Sequence, residues 1–531
     1  MNKDSCKHTV GLVLLAAVMA VISLGVGACG SKTQTTASST ASAAVTRGGN
    51  LILARFQEPL TFDPVGPSDN GSIYLIEQVF NTLVSPDQTG SGLVPGLAEK
   101  WDISSNGLVY TFHLRSAKFS NGDPVTSADV TFSLDRAANP KCPYAFLFVN
   151  VKSIQTVDAN TVTVTLKKPD VPFLSSLAVF AANIVDKKVY EANPKAFGNH
   201  PVGSGPFMVT TYSRGNEVVL TRNPYYWQLA ADGKPLPYLD EVTVKYVPES
   251  NSRILGLRNS TFDAIEGVPF SEAKSLASTP GLSLGVDSVY NLDYLYINHQ
   301  RAPMSDKNFD LALNYATDRQ AILKTVFFGY GTIPNSFMPK MNFWSKSVPL
   351  IPYDPAKAKQ YLAQSGYDGK AIQILVAAGD APRLQIAEAL QQMWSAVGIK
   401  SAIQQLDVGA AWNKVTAGDY DVDVNMITSD INDPDELATF EGDYWAVGGT
   451  YGFFSWYKNP QVADLLAKAR ATSSAQERAS YYGQVQKVVY EDGYAVPFNF
   501  TPALTGYTNS VHNFRTVTEG WWWLDQVWMS K

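Results

Sequence analysis

The stretch from residue 371 to 428 constrains the fold more than any other. "AIQILVAA" (371–378) is a short apolar run of strand length, and "DAPRLQIAEALQQMWSAVG" (380–398) after it carries apolar residues at helical spacing. Asp380 suits an N-cap, Pro382 a first helical turn and Gly398 a C-terminal stop. Proline's missing N–H costs nothing in a first turn, and glycine accepts the left-handed torsion that ends a helix. The stripe Leu384, Ala387, Leu390, Trp394 and Val397 marks a buried face, with Trp394 read as core packing. A strand candidate ("IKSAIQQL"), a short helix near "GAAWNKVTAG" and a third strand ("YDVDVNMIT", 420–428) follow. Strand, helix, strand, helix, strand predicts an α/β lobe in the second half of the chain.

The first half is patterned differently. Tyr110, Phe112 and Leu114 alternate in "VYTFHLR", Val162, Val164 and Leu166 in "TVTVTLKK", and Val242, Val244 and Tyr246 in "EVTVKYV". These predict half-buried strands, separated by turn signals such as "SNGDPV" and "GNHPVGSGPF". Helical spacing begins at "FDLALNYATDRQAILKTVF" (309–327). At 531 residues, 45% hydrophobic and 17% charged, the chain has the apolar content for a large core and the length for several lobes. A formal charge of −6 without a Lys/Arg cluster argues against nucleic acid as a partner.

Lys3 and Lys7 precede the apolar run "TVGLVLLAAVMAVISLGVGA", which reads as a secretory signal peptide over residues 1–28. It ends in "VGAC", which resembles a bacterial lipobox with Cys29 as the lipid-modified N-terminus. The alternative is an uncleaved membrane anchor with an incidental cysteine. Residues 29–47, rich in Ser, Thr and Ala, are expected to form a flexible tether. With Cys6 discarded and Cys29 acylated, Cys142 has no intramolecular partner, so stability cannot rest on disulfides.

Local catalytic constellations are missing. The five histidines are scattered, "PVGSGPF" lacks the lysine of a phosphate loop, and no G-x-S-x-G elbow appears. Paired carboxylates distant in sequence stay open. The acids of "NMITSDINDPDELATF" (425–440) fail as a calcium loop: Pro434 and Asp435 fall where a ligand and a glycine are needed. No metal site or cofactor is expected. Asp430 lies just beyond the carboxyl end of a strand, where ligands of α/β lobes bind. It receives a ligand's ammonium or hydroxyls there, or it caps a turn or pairs with a Lys or Arg of the chain. Asp433, before Pro434, fits a turn.

Longer segments carry a resemblance. "TFDP" (61–64), "LAEKWDISSNGLVYTFHLRSAKFSNGDPVTSADVTFSLDR" (97–136), "PVGSGPFMV" (201–209), "LTRNPYYW" (220–227), "YINHQRAPMSDKNFDLALNYATDR" (296–319), "YDPAKAKQYLAQSGY" (353–367) and "YKNPQVADLLAKA" (457–469) cover nearly all of the chain after the tether. The chain resembles the extracytoplasmic solute-binding proteins of family 5, the oligopeptide-, dipeptide- and nickel-type receptors of ABC importers. The resemblance implies an α/β, periplasmic-binding-protein-like fold (type II, cluster C). This is a two-lobed flytrap with an extra β-rich lobe. Lobe I would comprise 48–85, 203–295 and 497–531, lobe II 86–202 and lobe III 296–496. Gly203 and Gly205 would be hinge residues, or else ordinary turn glycines.

"SDINDP" looks like the family's segment beside the ligand. In peptide-binding members an aspartate at the place of Asp430 receives the peptide's amino terminus. Asn432 and Trp412 are expected at the ligand too, with Asp433 and Asp435 serving the turn and Glu436 the solvated face. Tyr444, Trp445 and Tyr451 stack on the ligand or belong to the core. The C-terminal "GWWWLDQVW" is read as packing. The basic residues with which peptide-binding members hold a carboxyl terminus are not found. The partners implied are a small-molecule or peptide ligand, an ABC permease with its ATPase, and a membrane reached through the N-terminal lipid, with the receptor itself a monomer. A peptide is the expected ligand and an oligosaccharide the alternative. From another class, a lipid-anchored exported hydrolase accounts only for the export features.

Overall fold

Three sheets of four or more strands organise the chain in a computed structural model that describes residues 45–66, 69–87, 92–334, 348, 350–442, 455–494 and 496–530. The five-stranded sheet contains the expected alternation. Ile372–Ala377, the helix Ala381–Val397, Ser401–Leu406, the helix Val408–Ala417 and Val422–Ile427 follow one another, and the first strand pairs in parallel with both later ones. The Asp380 side chain caps the first helix by accepting from the Arg383 N–H, and Gly398 ends it at φ 102°. Trp394 is 0% exposed and packs in one apolar cluster with Ile374, Ile386, Leu390 and Val422. "FDLALNYATDRQAILKTVF" forms two helices, Lys307–Ala316 and Arg319–Thr325. Asp318 caps the second through the Ala321 N–H.

The five-stranded sheet also takes in Leu292–Ile297 and Val496–Phe500. Both straddle the limits 296 and 496 expected from sequence. All of Leu292–Ile297 is buried between two neighbours, so its apolar run carries no alternation to mark where it starts. The chain therefore leaves the seven-stranded sheet after Asp287 and returns to it at Ala503.

That larger sheet runs in the order Leu282–Asp287, Ala503–Thr508, Ala264–Glu266, Asn50–Arg55, Glu241–Tyr246, Glu217–Arg222, Phe207–Ser213. Glu241–Tyr246 departs from simple alternation, because Val242, Thr243 and Val244 are buried in succession. It is an inner strand, paired on both edges. A four-stranded antiparallel sheet is built from Ala98–Ile103, Val109–Leu114, Thr161–Leu166 and Val151–Asp158. Here the period of two is kept. Tyr110 faces Val164 and Phe112 faces Val162 across the ladder, all four buried in one core.

Gly203 and Gly205 lie against the end of the helix Asn70–Val79, and neither has a positive φ. A Cβ at Gly203 would stand 2.1 Å from the Val79 carbonyl oxygen, and one at Gly205 2.5 Å from the Val79 carbonyl carbon. The Gly205 N–H donates to the Val79 carbonyl at 2.8 Å. Close backbone approach requires glycine at both positions.

Candidate functional site

After Val422–Ile427 the chain turns and enters the helix Asp435–Gly442. Glu436, expected on a solvated face, is 1% exposed. One of its oxygens accepts from the Asp430 N–H at 2.7 Å, the Ile431 N–H at 3.3 Å and the Ser429 hydroxyl at 3.2 Å. It ties the turn together from inside, and burial, with the neighbouring Asp430 charge, holds its carboxyl well above the usual range.

Asp433 does serve the turn, accepting from the Asp435 N–H at 2.9 Å. It also accepts from the Arg478 guanidinium at 2.7 Å. Asp435 takes the Arg470 Nε–H on both oxygens, at 3.0 and 2.9 Å, and the Tyr482 hydroxyl at 3.0 Å. These two acids find their cations in the protein, on the helices Pro460–Ala471 and Ala475–Asp492.

Asp430 is different. It is half-buried, and the Tyr144 hydroxyl donates to its carboxylate. Asn432 stands close by, but its amide is committed to the protein. Nδ2 donates to the Gly92 carbonyl at 2.9 Å, and Oδ1 accepts from the Tyr290 hydroxyl at 3.2 Å. The Asn432 carbonyl accepts from Ser175 at 3.4 Å. This loop is therefore where the five-stranded body touches the segment carrying the four-stranded sheet.

The larger sheet's body brings two more acids to the same place. Tyr74 and Glu77 sit three residues apart on the helix Asn70–Val79, hence on one face. Onto this helix packs the turn around Glu519. Gln78 donates to the Trp522 carbonyl at 2.8 Å, and the Tyr74 ring meets Trp522 edge-on at 5.4 Å. Gly520 is obligatory there, with φ 102° and a would-be Cβ 2.8 Å from the Tyr74 hydroxyl. Glu519 is 8% exposed. Its Oε2 takes the Thr518 hydroxyl at 2.9 Å, while Oε1 has no hydrogen-bond partner. Glu77 accepts from the Asn183 amide at 3.2 Å.

Burial, reinforced for the two glutamates by neighbouring acids, pushes these carboxyls up: Asp430 to about 6, Glu519 to about 7 and Glu77 to about 8. Among the described residues no Lys or Arg forms an ion pair with any of the three. Arg55, which lies over the rings of Tyr74 and Trp522, is paired with Glu266 at 3.0 Å. Nor, among the described residues, do three His, Cys, Asp or Glu side chains gather closely enough to hold a metal ion.

Of the residues expected from sequence, the structure places Asp430 and Asn432 together. Trp412 is 40% exposed on the helix Val408–Ala417, after a different strand. Tyr444, Trp445, Tyr451 and Cys29 lie outside the described residues. Glu77, Tyr144 and Glu519 escaped the sequence reading. The available signal was an acid inside an apolar run, as in "SIYLIEQVF" and "VTEGWWW".

Residues 92–441 match the bacterial extracellular solute-binding proteins, family 5 middle. The chain is similar to heme-binding protein A of Haemophilus influenzae, with 27% identity over 535 residues covering 93% of this chain and 96% of that one. It is similar to the glutathione-binding protein GsiB of Salmonella choleraesuis, with 28% identity covering 88% of this chain and 91% of that one. The solved periplasmic binding protein DppA from Helicobacter pylori, in complex with the peptide STSA, superposes with a TM-score of 0.82. It shares 26% identity, covering 92% of this chain and 99% of that one. Heme, glutathione and a peptide are named for these three relatives.

Proposed function

Because the chain belongs to the bacterial extracellular solute-binding proteins of family 5, we propose that it captures a solute with a cationic end, a peptide's amino terminus, at Asp430. The observation that carries this reading is a carboxylate set where three parts of the fold meet, helped by the Tyr144 hydroxyl and lacking an ion pair among the described residues. A carboxylate partly withdrawn from water without a counter-charge is costly, and an incoming ammonium reduces that cost. Ligand closes the bodies upon each other, and the closed form delivers it to an ABC permease. Lipid on Cys29 keeps the receptor at the membrane. The role is binding, not hydrolysis, in keeping with the binding proteins to which the chain is similar.

Calorimetric titration with free and N-acetylated peptides tests the assignment. Losing one partner of a buried charged pair costs about 2–5 kcal/mol. Asp430→Ala should therefore weaken peptide binding by about thirty-fold to a few thousand-fold. N-acetylation should remove the advantage of Asp430 over alanine. For a neutral oligosaccharide the loss would be smaller, since only hydroxyls are left unpaired. Equal affinity of wild type and Asp430→Ala overturns the assignment.

A further inference from the structure

One ammonium needs one carboxylate, yet two further buried or half-buried acids stand in the neighbourhood of Asp430. Glu77 comes from the helix Asn70–Val79, Glu519 from the turn before Trp522, and Asp430 from the loop after Val422–Ile427. Glu519 is more than nine-tenths buried, and its Oε1 has no hydrogen-bond partner. Tyr290 links its turn to the Asp430 loop, the N–H donating to the Thr518 carbonyl at 2.7 Å and the hydroxyl to Asn432 Oδ1 at 3.2 Å, while Gly520 lies against Tyr74 on the helix face that carries Glu77. The nearby guanidinium groups are committed: Arg55 to Glu266, Arg470 to Asp435 and Arg478 to Asp433. Nor do the carboxylates converge on a point as a metal ion requires, since no such group of three occurs among the described residues. Separated acids of this kind fit an organic cation with two charged ends.

Resting on the reading of Asp430 above, we propose that the ligand carries two positive charges at one end, as a peptide beginning with lysine or arginine does. Its amino terminus meets Asp430, and its side-chain cation meets Glu77 and Glu519. A lysine's four-carbon stem spaces the two charges while staying flexible enough to reach both acids.

The test is calorimetric titration of the full chain with the tripeptides Lys-Ala-Ala, Arg-Ala-Ala and Ala-Ala-Ala. Wild type should bind the two basic peptides about thirty-fold to a few thousand-fold more tightly than Ala-Ala-Ala, the range of one further buried charge pair. That ratio should collapse in Glu77→Gln/Glu519→Gln, which keeps side-chain size. The wild-type comparison stands even if the double variant does not fold. Equal wild-type affinity for Lys-Ala-Ala and Ala-Ala-Ala, both still weakened by Asp430→Ala, overturns this inference and leaves the amino-terminal assignment standing. A ratio that survives in the double variant also overturns it. Failure of wild type to bind any of the three overturns both readings.

Discussion

A carboxylate taken out of water costs free energy until donors or a cation face it. The four acids between 430 and 436 meet that demand in different ways. Asp433 and Asp435 use arginines, Glu436 uses backbone N–H groups and a serine, and Asp430 has the Tyr144 hydroxyl. Asp435→Ala leaves the buried Arg470 guanidinium without its carboxylate. Breaking such a pair from one side should cost about 3–5 kcal/mol of stability. The urea midpoint should drop accordingly, while the affinity of the folded fraction for ligand changes little. A midpoint within error of wild type would show that water takes over the role of Asp435. The position of Asp430 and the turn at Asp433 were legible, because a strand end and an Asp-Pro pair are local signals. The arginines were not, since Arg470 and Arg478 lie 35 and 45 residues downstream of their partners. Nothing in local spacing marks that pairing. Glu436 was misread for a different reason: its partners are close in sequence, but two of the three are backbone N–H groups that a sequence does not display.

At the scale of elements, what could be read was whatever carries its own punctuation. The helix Ala381–Val397 announces itself through a cap, a first-turn proline, an apolar stripe and a closing glycine, and all four appear in the structure. Leu292–Ile297, buried throughout, has no such punctuation, and the lobe limit expected at 296 falls inside it. The glycines near "PVGSGPF" were legible as special, and both lie against the end of a helix. Gly203→Ala would drive a methyl group to 2.1 Å from the Val79 carbonyl oxygen. Backbone on both sides must shift, so a loss of about 1–3 kcal/mol or more is expected. Gly409→Ala is the control. Its Cβ would meet nothing closer than 3.5 Å, and it lies in the helix Val408–Ala417. There alanine should hold or raise the midpoint by up to about 1 kcal/mol. If Gly203→Ala melts like wild type but closes differently on ligand, torsional hinging and not packing is the role of that glycine.

At the scale of the whole molecule, charge at one junction is linked to how firmly the bodies hold together. Contacts across that junction include Asn432 to Gly92, Tyr144 to Asp430, and the Val171 N–H to the Arg470 carbonyl at 2.9 Å. Glu77 and Glu519 come from opposite ends of the chain, so their approach to Asp430 is a product of topology and was beyond a reading of the sequence. The carboxyls of Asp430, Glu519 and Glu77 are raised to about 6, 7 and 8. Glu436, from the loop side, and Asp170, facing Arg470, are raised as well, and Tyr74 and Tyr290 are held neutral by burial. All of these act in one direction. An acid whose pKa is raised on assembly stabilises the assembled state at low pH, and that contribution is lost as pH climbs through the raised value. Ligand-free protein should therefore hold these junction contacts most firmly near pH 5 and loosen them as pH passes through 6 to 8. Small-angle scattering should show a larger radius of gyration at pH 8 than at pH 5. A cationic peptide added at pH 8 should restore the smaller value, because it supplies the charge that protons supply in acid. The same linkage makes peptide affinity rise with pH over this range, as ionised carboxylates bind the cation and protonated ones do not. A radius of gyration that is constant from pH 5 to 8 without ligand, yet falls on ligand addition, would show that closure does not depend on these acids. Their role would then be confined to recognition.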